Sequence, residues 1–342
     1  MSTDMPQILN QSYSASSATS EMTYAEAIRE ALRTEMAHDD RVFLIGEDIA
    51  VFQGAFGVTG ELWKEFGEER VRDTPISENS LVGVGVGAAL MGMRPVVELM
   101  FGDFVLLAMD QIVNQAAKAR MMSGGQVSVP LTLRTTTGAT GAAAAHHSQS
   151  IEGWFLGMPG LKVVAPTTPA DAKGLLTAAI RDPDPVVFLE TKQLYGLKGE
   201  VPLGEHVVPL GSAVVRRAGT QVTLIGVGGA TAGCLNAANE VAADGIDVEV
   251  IDLRSIVPID TATLFTSVEK TTRVVVVQEA VERGGVAAEV AALIAEHRID
   301  HLDAPILRVG AKPIPVPYSP TMEQHVLPGL SDITAAVSAV MS

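Results

Sequence analysis

The chain has 342 residues, of which 47% are hydrophobic and 19% are charged, and this composition excludes intrinsic disorder over most of its length. With 24 basic and 40 acidic residues the formal net charge is −16, which argues against a nucleic-acid-binding protein because such a protein needs a basic face. The single cysteine, Cys234, excludes an intrachain disulfide framework and a cysteine-rich zinc site.

The first segment, residues 1–21, is polar, rich in serine and without lysine or arginine. It matches neither a secretory signal nor a mitochondrial presequence, so we predict a flexible tail. No apolar run in the chain reaches the length of a membrane span. Together these features predict a cytoplasmic protein that contacts neither membrane nor nucleic acid.

Strands and helices alternate over residues 22–195. Thr23 and Glu26 have the spacing of a capping box, which predicts a helix that ends near Ala37. Further helices are predicted at 81–92, 104–122 and 170–181, and strands at 42–45, 71–76, 95–101, 130–136, 161–165 and 186–190. The helix at 81–92 is rich in glycine and alanine, so it can lie very close to a neighbouring element.

Glycine and proline interrupt this alternation at 196–210, which predicts an interdomain linker. A second series fills residues 211–342, with strands at 222–225, 248–251, 274–278 and 306–309 and helices at 231–243, 286–297 and 333–341. Strands that alternate with helices imply parallel sheets. The predicted fold class is therefore α/β, with two domains that each contain an open, mostly parallel sheet.

Glu78 is the first candidate for chemistry, since it follows a predicted strand and precedes the glycine-rich helix. Ligands of open α/β sheets bind at that edge, and apolar neighbours such as Ile76 and Leu81 would raise the pKa of a carboxyl group there. The alternative is a carboxylate in the first turn of a helix that only satisfies backbone N–H groups.

A second candidate is the loop of small residues at 138–150, which contains His146 and His147. A histidine in such a loop can reach a ligand and act as an acid or a base. Metal binding is unattractive because no cysteine or spaced pair of carboxylates is near. A histidine that is simply exposed or hydrogen bonded is the alternative.

A third candidate is the segment 222–229, where a strand runs into glycines and then a helix, as in a dinucleotide-binding fingerprint. Asp252, at the end of the next strand, adds superficial support. The match is weak because Thr231 stands where the third glycine of the fingerprint should be. A stand-alone NAD-dependent oxidoreductase therefore remains an alternative reading.

From Asp73 to Glu78 the chain resembles the β subunits of the thiamine-diphosphate-dependent first component of 2-oxo acid dehydrogenase complexes. The resemblance extends from about Met22 to Met341. It rests on the blocks 44–48, 73–78, 94–98, 110–114, 147–150, 159–164, 171–175, 252–260 and 302–305. It implies a transketolase-like pyrimidine-binding domain at 22–195 and a transketolase C-terminal-type domain at 211–342.

The resemblance also implies roles for single residues. Glu78 matches the glutamate that bonds a ring nitrogen of the cofactor's aminopyrimidine and favours the tautomer that activates the thiazolium carbon. His147 matches the histidine that orients the dihydrolipoyl substrate or donates protons during acyl transfer. Phe104, Ile76 and Glu47 match the aromatic, apolar and acidic neighbours of the cofactor.

The family's metal ions are implied as well. Potassium would be bound by backbone carbonyls at positions that match Leu131, Ala179, Ile180, Asp182 and Asp184. Mg²⁺ and the diphosphate need a Gly-Asp-Gly…Asn-Asn segment, but no Asn-Asn pair occurs in this chain. The resemblance therefore implies an α subunit that supplies the diphosphate half of the site, in an α2β2 heterotetramer. The net charge of −16 would suit docking to the basic subunit-binding domain of a lipoyl-bearing acyltransferase core.

The substrate is less well defined by the resemblance. The segments 98–104, 134–138 and 195–202 look most like acetoin dehydrogenases, with pyruvate second and branched-chain 2-oxo acids third. Besides the NAD-dependent alternative, a noncatalytic scaffold that holds an α subunit would also fit the sequence.

Overall fold

The computed structural model describes residues 18–342, which divide into two compact units. The first unit consists of the described residues up to Thr137 together with Gly157–Leu210. The second unit consists of Gly138–Leu156 and Gly211–Ser342. The predicted flexible tail, 1–21, lies almost wholly outside the described residues.

Six strands of the first unit form a parallel sheet in the order β6-β7-β5-β4-β2-β3. Their bounds are Val42–Gly46 (β2), Val71–Asp73 (β3), Arg94–Leu99 (β4), Thr132–Thr137 (β5), Lys162–Val164 (β6) and Val186–Thr191 (β7). Every residue of β2, β5 and β7 is buried, as expected where helices cover both faces of a parallel sheet.

The α-helices of the first unit lie at or close to the predicted positions, except for the one at 62–66, which the sequence did not predict. They are Tyr24–His38 (α1), Leu62–Phe66 (α2), Glu78–Leu90 (α3), Val105–Met109 (α4), Ala117–Met122 (α5) and Pro169–Arg181 (α6). The capping box of α1 is formed, since the Thr23 side chain accepts from the Glu26 N–H while the Glu26 carboxylate accepts from the Thr23 N–H. The predicted helix at 104–122 is instead divided, because a π-helical segment, Asp110–Ala116, separates α4 from α5.

The glycines of α3 permit the close packing that the sequence predicts. A Cβ atom at Gly85 would lie 2.5 Å from Cγ2 of Val97 on β4, closer than two carbon atoms can approach. Glycine at this position therefore lets the helix that begins with Glu78 lie directly on the sheet.

The predicted linker at 196–210 contains regular structure. Lys198–Pro202 (β8) pairs antiparallel with Thr19–Thr23 (β1), so the last residues of the predicted tail also lie in a strand. Glycine and proline signals report local geometry. They could not reveal a pairing partner that lies far away in the sequence.

The second unit contains a five-stranded sheet in the order β14-β13-β10-β11-β9, in which only the edge strand β9 is antiparallel. The strands of this sheet are Val214–Arg217 (β9), Val222–Gly226 (β10), Val248–Asp252 (β11), Val274–Val281 (β13) and Leu307–Ala311 (β14), and the short strand Ser255–Val257 (β12) lies outside it. The helices are Ala230–Val241 (α7), Thr261–Thr271 (α8), Val286–Arg298 (α9), Pro320–Val326 (α10) and Leu330–Met341 (α11). The sequence did not predict β9, β12, α8 or α10, but the α/β class with mostly parallel sheets is confirmed.

Within the described part of the chain, none of the helices combines the length and the apolar composition needed to cross a bilayer.

Candidate active site

Two acidic residues lie at the carboxyl edge of the first unit's sheet. Glu47 directly follows β2, and Glu78 is the first residue of α3. Both are almost fully buried, with 8% and 7% of their surface exposed. Since ligands of parallel sheets bind at this edge, the location suits a binding site.

The Glu47 carboxyl group is held in an unusual electrostatic environment. Burial raises its pKa, the negative charge of Glu78 raises it further, and a hydrogen bond from the Ser77 backbone lowers it. Its Oε1 atom is buried and accepts no hydrogen bond from any described residue. A buried acceptor without a donor is costly, so this atom is a natural partner for a donor on a bound molecule.

Glu78 takes the helical position that the alternative reading assigned to it. The N-cap residue of α3 is Ser77, whose side chain does not cap the helix but donates to Oγ of Ser80 at 2.8 Å. A carboxylate in the first turn is stabilised by the helix dipole. This stabilising position is compatible with contact to a ligand, because the first turn of α3 lies at the carboxyl edge of the sheet, where ligands bind.

Phe104 lies at the end of a row of aromatic side chains. Its ring packs edge-on against Phe101 at 6.0 Å, and Phe101 packs edge-on against Phe56 at 5.8 Å. Phe56 in turn stacks on Tyr195 at a centroid distance of 4.8 Å. Such contacts fix ring orientation, so Phe104 presents a positioned aromatic surface within the first unit.

The row is fixed at its inner end by a buried ionic network. The hydroxyl of Tyr195 donates to Glu190 at 2.8 Å, and the Arg134 guanidinium donates to Glu190 at 2.7 and 3.0 Å. The same guanidinium donates to Glu98 at 2.6 Å. An arginine with both carboxylates satisfied in this way is a rigid support for β4, β5 and β7.

Several large apolar side chains of the first unit are exposed. Ile76, predicted to neighbour the cofactor, is 84% exposed, whereas Leu81 is buried. Six of the exposed residues, which follow β2, precede α3 or lie on α3 or α4, are Val51, Phe52, Ile76, Val84, Leu106 and Leu107. We call this set the apolar edge. Exposed apolar groups of this extent are typical of an interaction surface.

The two histidines of the 138–150 loop belong to the second unit, whereas Glu47, Glu78 and Phe104 belong to the first. His147 ends a short 3-10 helix, Ala145–His147, and is half-buried, with a buried Nδ1 atom. His146 is exposed and lines a cleft of about 660 Å³ within the second unit. Other residues that line this cleft are Ser148, Gln149, Ser150, Trp154, Glu279 and 313–316.

The two carboxylates that hold the start of this loop were missed by the sequence analysis. Glu279 accepts a hydrogen bond from the Ala139 N–H, and Glu323 accepts from the N–H groups of Gly141 and Ala142. The available signal was the position of Glu279, which follows the predicted strand at 274–278 just as Glu47 follows β2.

The residues expected to bind potassium lie around the C-terminal end of α6. Arg94 donates to the carbonyl oxygens of Ile180 and Asp182, at 2.8 and 3.3 Å. The Asp182 carboxylate accepts from Lys162 at 2.7 Å, and Asp184 pairs with Arg120. The remaining carbonyls, of Leu131 and Ala179, accept from backbone N–H groups. The negative end of the helix dipole favours a cation here, but in this structure arginine and lysine side chains already supply positive charge.

The first unit fits the pyrimidine half of thiamine diphosphate. The free acceptor on Glu47, the neighbouring Glu78 carboxyl group and the Phe104 ring are suitable partners for an aminopyrimidine. For a divalent cation the situation differs. Among residues 18–342 there is no group of three or more His, Cys, Asp or Glu side chains arranged to bind a metal ion.

The glycine turn of the second unit and the aspartate that follows are engaged in internal contacts. Asp252, which would have to reach a ribose, is fully buried and pairs with Arg216 at 2.7 Å. A Cβ atom at Gly226 would lie 2.6 Å from Cα of Thr231, so this glycine permits close packing of α7 on β10. The glycines and the aspartate thus have structural roles, which argues against the NAD-binding alternative.

Comparison with known proteins also divides the chain in two, but residues 138–156, which belong to the second compact unit, fall within the first match. Residues 20–198 match the family model described as transketolase, pyrimidine binding domain, and residues 211–333 match transketolase, C-terminal domain. The chain also superposes on a split-gene transketolase, an inactive beta4 tetramer, with a TM-score of 0.75 at 22% identity, covering 94% of this chain and 98% of the other. At that identity the likeness shows the fold alone.

Curated relatives are much more similar in sequence. The chain is 48% identical to the pyruvate dehydrogenase E1 component subunit beta of Rhizobium meliloti, over 93% of this chain and 70% of the relative. It is 47% identical to the acetoin:2,6-dichlorophenolindophenol oxidoreductase subunit beta of Bacillus subtilis, over 90% and 93%. It is 45% identical to the 2-oxoisovalerate dehydrogenase subunit beta of the same organism, over 92% and 97%. The chain therefore belongs to the family of transketolase-like β subunits of 2-oxo acid dehydrogenase E1 components.

Proposed function

We propose that this chain supplies the pyrimidine-binding half of a thiamine-diphosphate site in an E1 oxidoreductase that acts on acetoin or a 2-oxo acid. The observation that carries the proposal is the pair of buried carboxyl groups, Glu47 and Glu78, at the carboxyl edge of the first sheet. One of their oxygen atoms has no donor among the described residues. A site for an aminopyrimidine needs such a group.

Each residue of the first unit has a separate task in this proposal. When bound, thiamine diphosphate supplies the stabilised carbanion chemistry that no amino-acid side chain offers. The carboxyl group of Glu78 would hydrogen bond to a pyrimidine ring nitrogen, Phe104 would pack on the ring, and Ile76 would contribute apolar surface. The carboxyl group of Glu47, whose pKa is raised by burial and by the charge of Glu78, would offer a further hydrogen-bonding group at the same edge.

We assign a later step to the second unit. His147 donates a proton to the sulfur that is released when the lipoyl disulfide is cleaved and its other sulfur takes up the acyl group, or it orients the resulting dihydrolipoyl group. An imidazole suits this task because the ordinary pKa of an imidazole is close to neutral pH. Its Nδ1 atom is buried.

The proposed partner is an α subunit, in an α2β2 heterotetramer, that holds Mg²⁺ and the diphosphate. The apolar edge of the first unit, which includes Ile76, Leu106 and Leu107, is the surface that we assign to this contact. A lipoyl-bearing acyltransferase core is the second partner, and the net charge of −16 would favour its basic binding domain. We place the assembly in the cytoplasm, where the buried, unpaired Cys234 would stay reduced.

We also propose that potassium binds at the C-terminal end of α6. Arg94 and Lys162 would have to share the carbonyl and carboxylate oxygens of Ile180 and Asp182 with the ion. A test is the thermal stability of the assembly in potassium compared with sodium at equal ionic strength. A higher midpoint in potassium would support the site.

Three substrates are possible for an enzyme of this family: acetoin, pyruvate and branched-chain 2-oxo acids. Relatives named for pyruvate, acetoin and 2-oxoisovalerate are 48%, 47% and 45% identical to this chain, so overall identity does not separate them. We place acetoin first because of the segments 98–104, 134–138 and 195–202, pyruvate second and branched-chain 2-oxo acids third.

The deciding experiment is dye-linked turnover of this chain copurified with its α subunit, with thiamine diphosphate and Mg²⁺. Acetoin, pyruvate and 2-oxoisovalerate are tested separately, and an assay without thiamine diphosphate is the control. We expect cofactor-dependent turnover with one strongly preferred substrate. Turnover that needs NAD rather than thiamine diphosphate, or a stable assembly without any turnover, would contradict the proposal.

A further inference from the structure

The loop that leads to His147 has a strained backbone. Four of its residues have positive φ angles: Gly138, Gly141, Ala142 and Ala144. For the two alanines this conformation is unfavourable, and Ala144, with φ 59° and ψ −173°, lies in a region that is almost exclusive to glycine. Such residues persist only where the surrounding structure holds them, and they concentrate at functional sites.

Two carboxylates of the second unit hold this loop through its backbone. Both oxygens of Glu323 accept hydrogen bonds from consecutive N–H groups, from Gly141 at 2.9 Å and from Ala142 at 2.8 Å. Glu279 accepts from the N–H of Ala139, and a Cβ atom at Gly138 would lie 2.8 Å from its Oε1 atom. Hydrogen bonds to a charged acceptor are about twice as strong as neutral ones.

The carboxylates are themselves on fixed elements. Glu279 is in β13, and Glu323 is in α10 and is only 5% exposed. The end of α10 is tied to the strand region by a bond from the Lys312 N–H to the Val326 carbonyl at 2.9 Å. The 3-10 turn that carries His147 then follows, closed by a bond from the His147 N–H to the Ala144 carbonyl at 3.3 Å.

We propose that Glu279 and Glu323 are positioning residues that clamp the 138–147 loop in its strained conformation and so set the placement of His147. The inference rests on the proposed role of His147 in acyl transfer. Both carboxylates hold the loop backbone, and the position of the backbone sets the position of the imidazole ring.

The test combines hydrogen exchange with two partial reactions, all measured in the α/β assembly. The variants are Glu323→Ala, Glu323→Gln and His147→Ala, with the exposed Glu282→Gln as the matched control. We expect amides of the 138–147 loop to exchange about 10- to 100-fold faster in Glu323→Ala, because two charge-assisted hydrogen bonds are lost. In Glu323→Gln one acceptor remains, so the increase is smaller, and Glu282→Gln matches wild type.

Acyl transfer to the lipoyl domain is expected to fall in Glu323→Ala toward the level of His147→Ala, while dye-linked turnover is retained. Adding Ala144→Gly to Glu323→Ala restores part of the transfer rate, since glycine adopts the required backbone without strain. This rescue would not occur if Glu323 only stabilised the fold.

Unchanged exchange of the loop in Glu323→Ala would overturn the clamp. Faster exchange with undiminished acyl transfer would overturn the positioning role, provided that His147→Ala loses transfer. If His147→Ala itself transfers acyl groups normally, the proposed role of His147 fails and the positioning role fails with it. The exchange data then still report separately whether the loop is clamped.

Discussion

The two sheets of this protein present the same local pattern at the same edge and use it differently. Strand β2 reads Val-Phe-Leu-Ile-Gly and β10 reads Val-Thr-Leu-Ile-Gly, and both strands are fully buried. In each sheet the terminal glycine pairs in parallel with an aspartate of the next strand, Gly46 with Asp73 and Gly226 with Asp252. Pattern and register alone therefore do not distinguish the two edges.

What differs is whether the polar groups at the edge are satisfied. In the second unit a buried salt bridge with Arg216 satisfies Asp252, and the residue after Gly226 is the buried Val227. In the first unit the residue after Gly46 is Glu47, whose Oε1 atom is buried without a donor among the described residues. An edge whose buried polar groups all have hydrogen-bond partners is therefore structural. An edge that keeps a buried carboxyl oxygen without a donor is a candidate site.

The largest effect on stability is expected at the satisfied edge. Asp252→Ala leaves the Arg216 guanidinium buried without its carboxylate, and we expect a loss of about 3–5 kcal/mol in the free energy of unfolding. Urea unfolding of the purified chain measures it. A loss no greater than that of an exposed control, Asp244→Ala, would mean that the two edges do not differ as described.

The two edge glycines should respond alike, because both permit close packing. A Cβ atom would lie 2.8 Å from the Glu98 carbonyl oxygen at Gly46 and 2.6 Å from Cα of Thr231 at Gly226. We expect Gly46→Ala and Gly226→Ala each to cost about 1–3 kcal/mol in urea unfolding. A neutral result at either glycine would show that its neighbours can move, and the parallel between the edges would be lost.

Glu47→Gln should stabilise the chain at neutral pH. The pKa of Glu47 is raised in the folded state by burial and by Glu78, so the folded state binds more protons than the unfolded state. Its contribution to stability is therefore greatest below the unfolded pKa and declines as the pH rises through the folded pKa. We expect the variant to lose this decline and to gain about 1 kcal/mol at pH 7, roughly 1–2 °C in Tm.

Thermal unfolding of wild type and Glu47→Gln from pH 4 to pH 8 checks this sign. Equal Tm values at every pH, or a variant that is less stable at pH 7, would contradict the description of an unsatisfied carboxyl group.

The smallest effect on the isolated chain is expected at the apolar edge. Ile76 is 84% exposed, so Ile76→Ser should change the free energy of unfolding by less than about 0.5 kcal/mol. Its affinity for the α subunit, measured by calorimetry, should nevertheless fall, since exposed apolar side chains contribute to an interface only when it forms. Unchanged affinity would remove Ile76 from the proposed contact.

The sequence predicted those features that depend on local pattern. The capping box of α1, the buried strands and the close approach at Gly85 follow from side-chain type and spacing, and the structure confirms them. The β1–β8 pairing was missed, because two short strands give little local signal and their pairing depends on distant parts of the chain. The break of the helix at 104–122 by a π-helical segment has no signal in proline or glycine, so the periodic pattern could not reveal it.

The site was predictable to the same extent. Glu78 and Glu47 were found because a carboxylate at a strand end stands out in the pattern and in the resemblance. The contrast between Glu47 and Asp252 was not predicted, because it depends on whether Arg216 and other donors reach each carboxyl group in three dimensions. Glu323 was missed for the same reason, because its loop partners precede it by more than 180 residues.

We propose that Glu78 activates the cofactor in addition to beginning α3. It is tested most directly by the kcat of Glu78→Gln in the α/β assembly at saturating thiamine diphosphate and Mg²⁺, with the exposed Glu61→Gln as the control. We predict that kcat falls about 10²- to 10⁴-fold while the assembly and its unfolding midpoint are retained. Wild-type kcat in Glu78→Gln, in an intact assembly, would contradict the account.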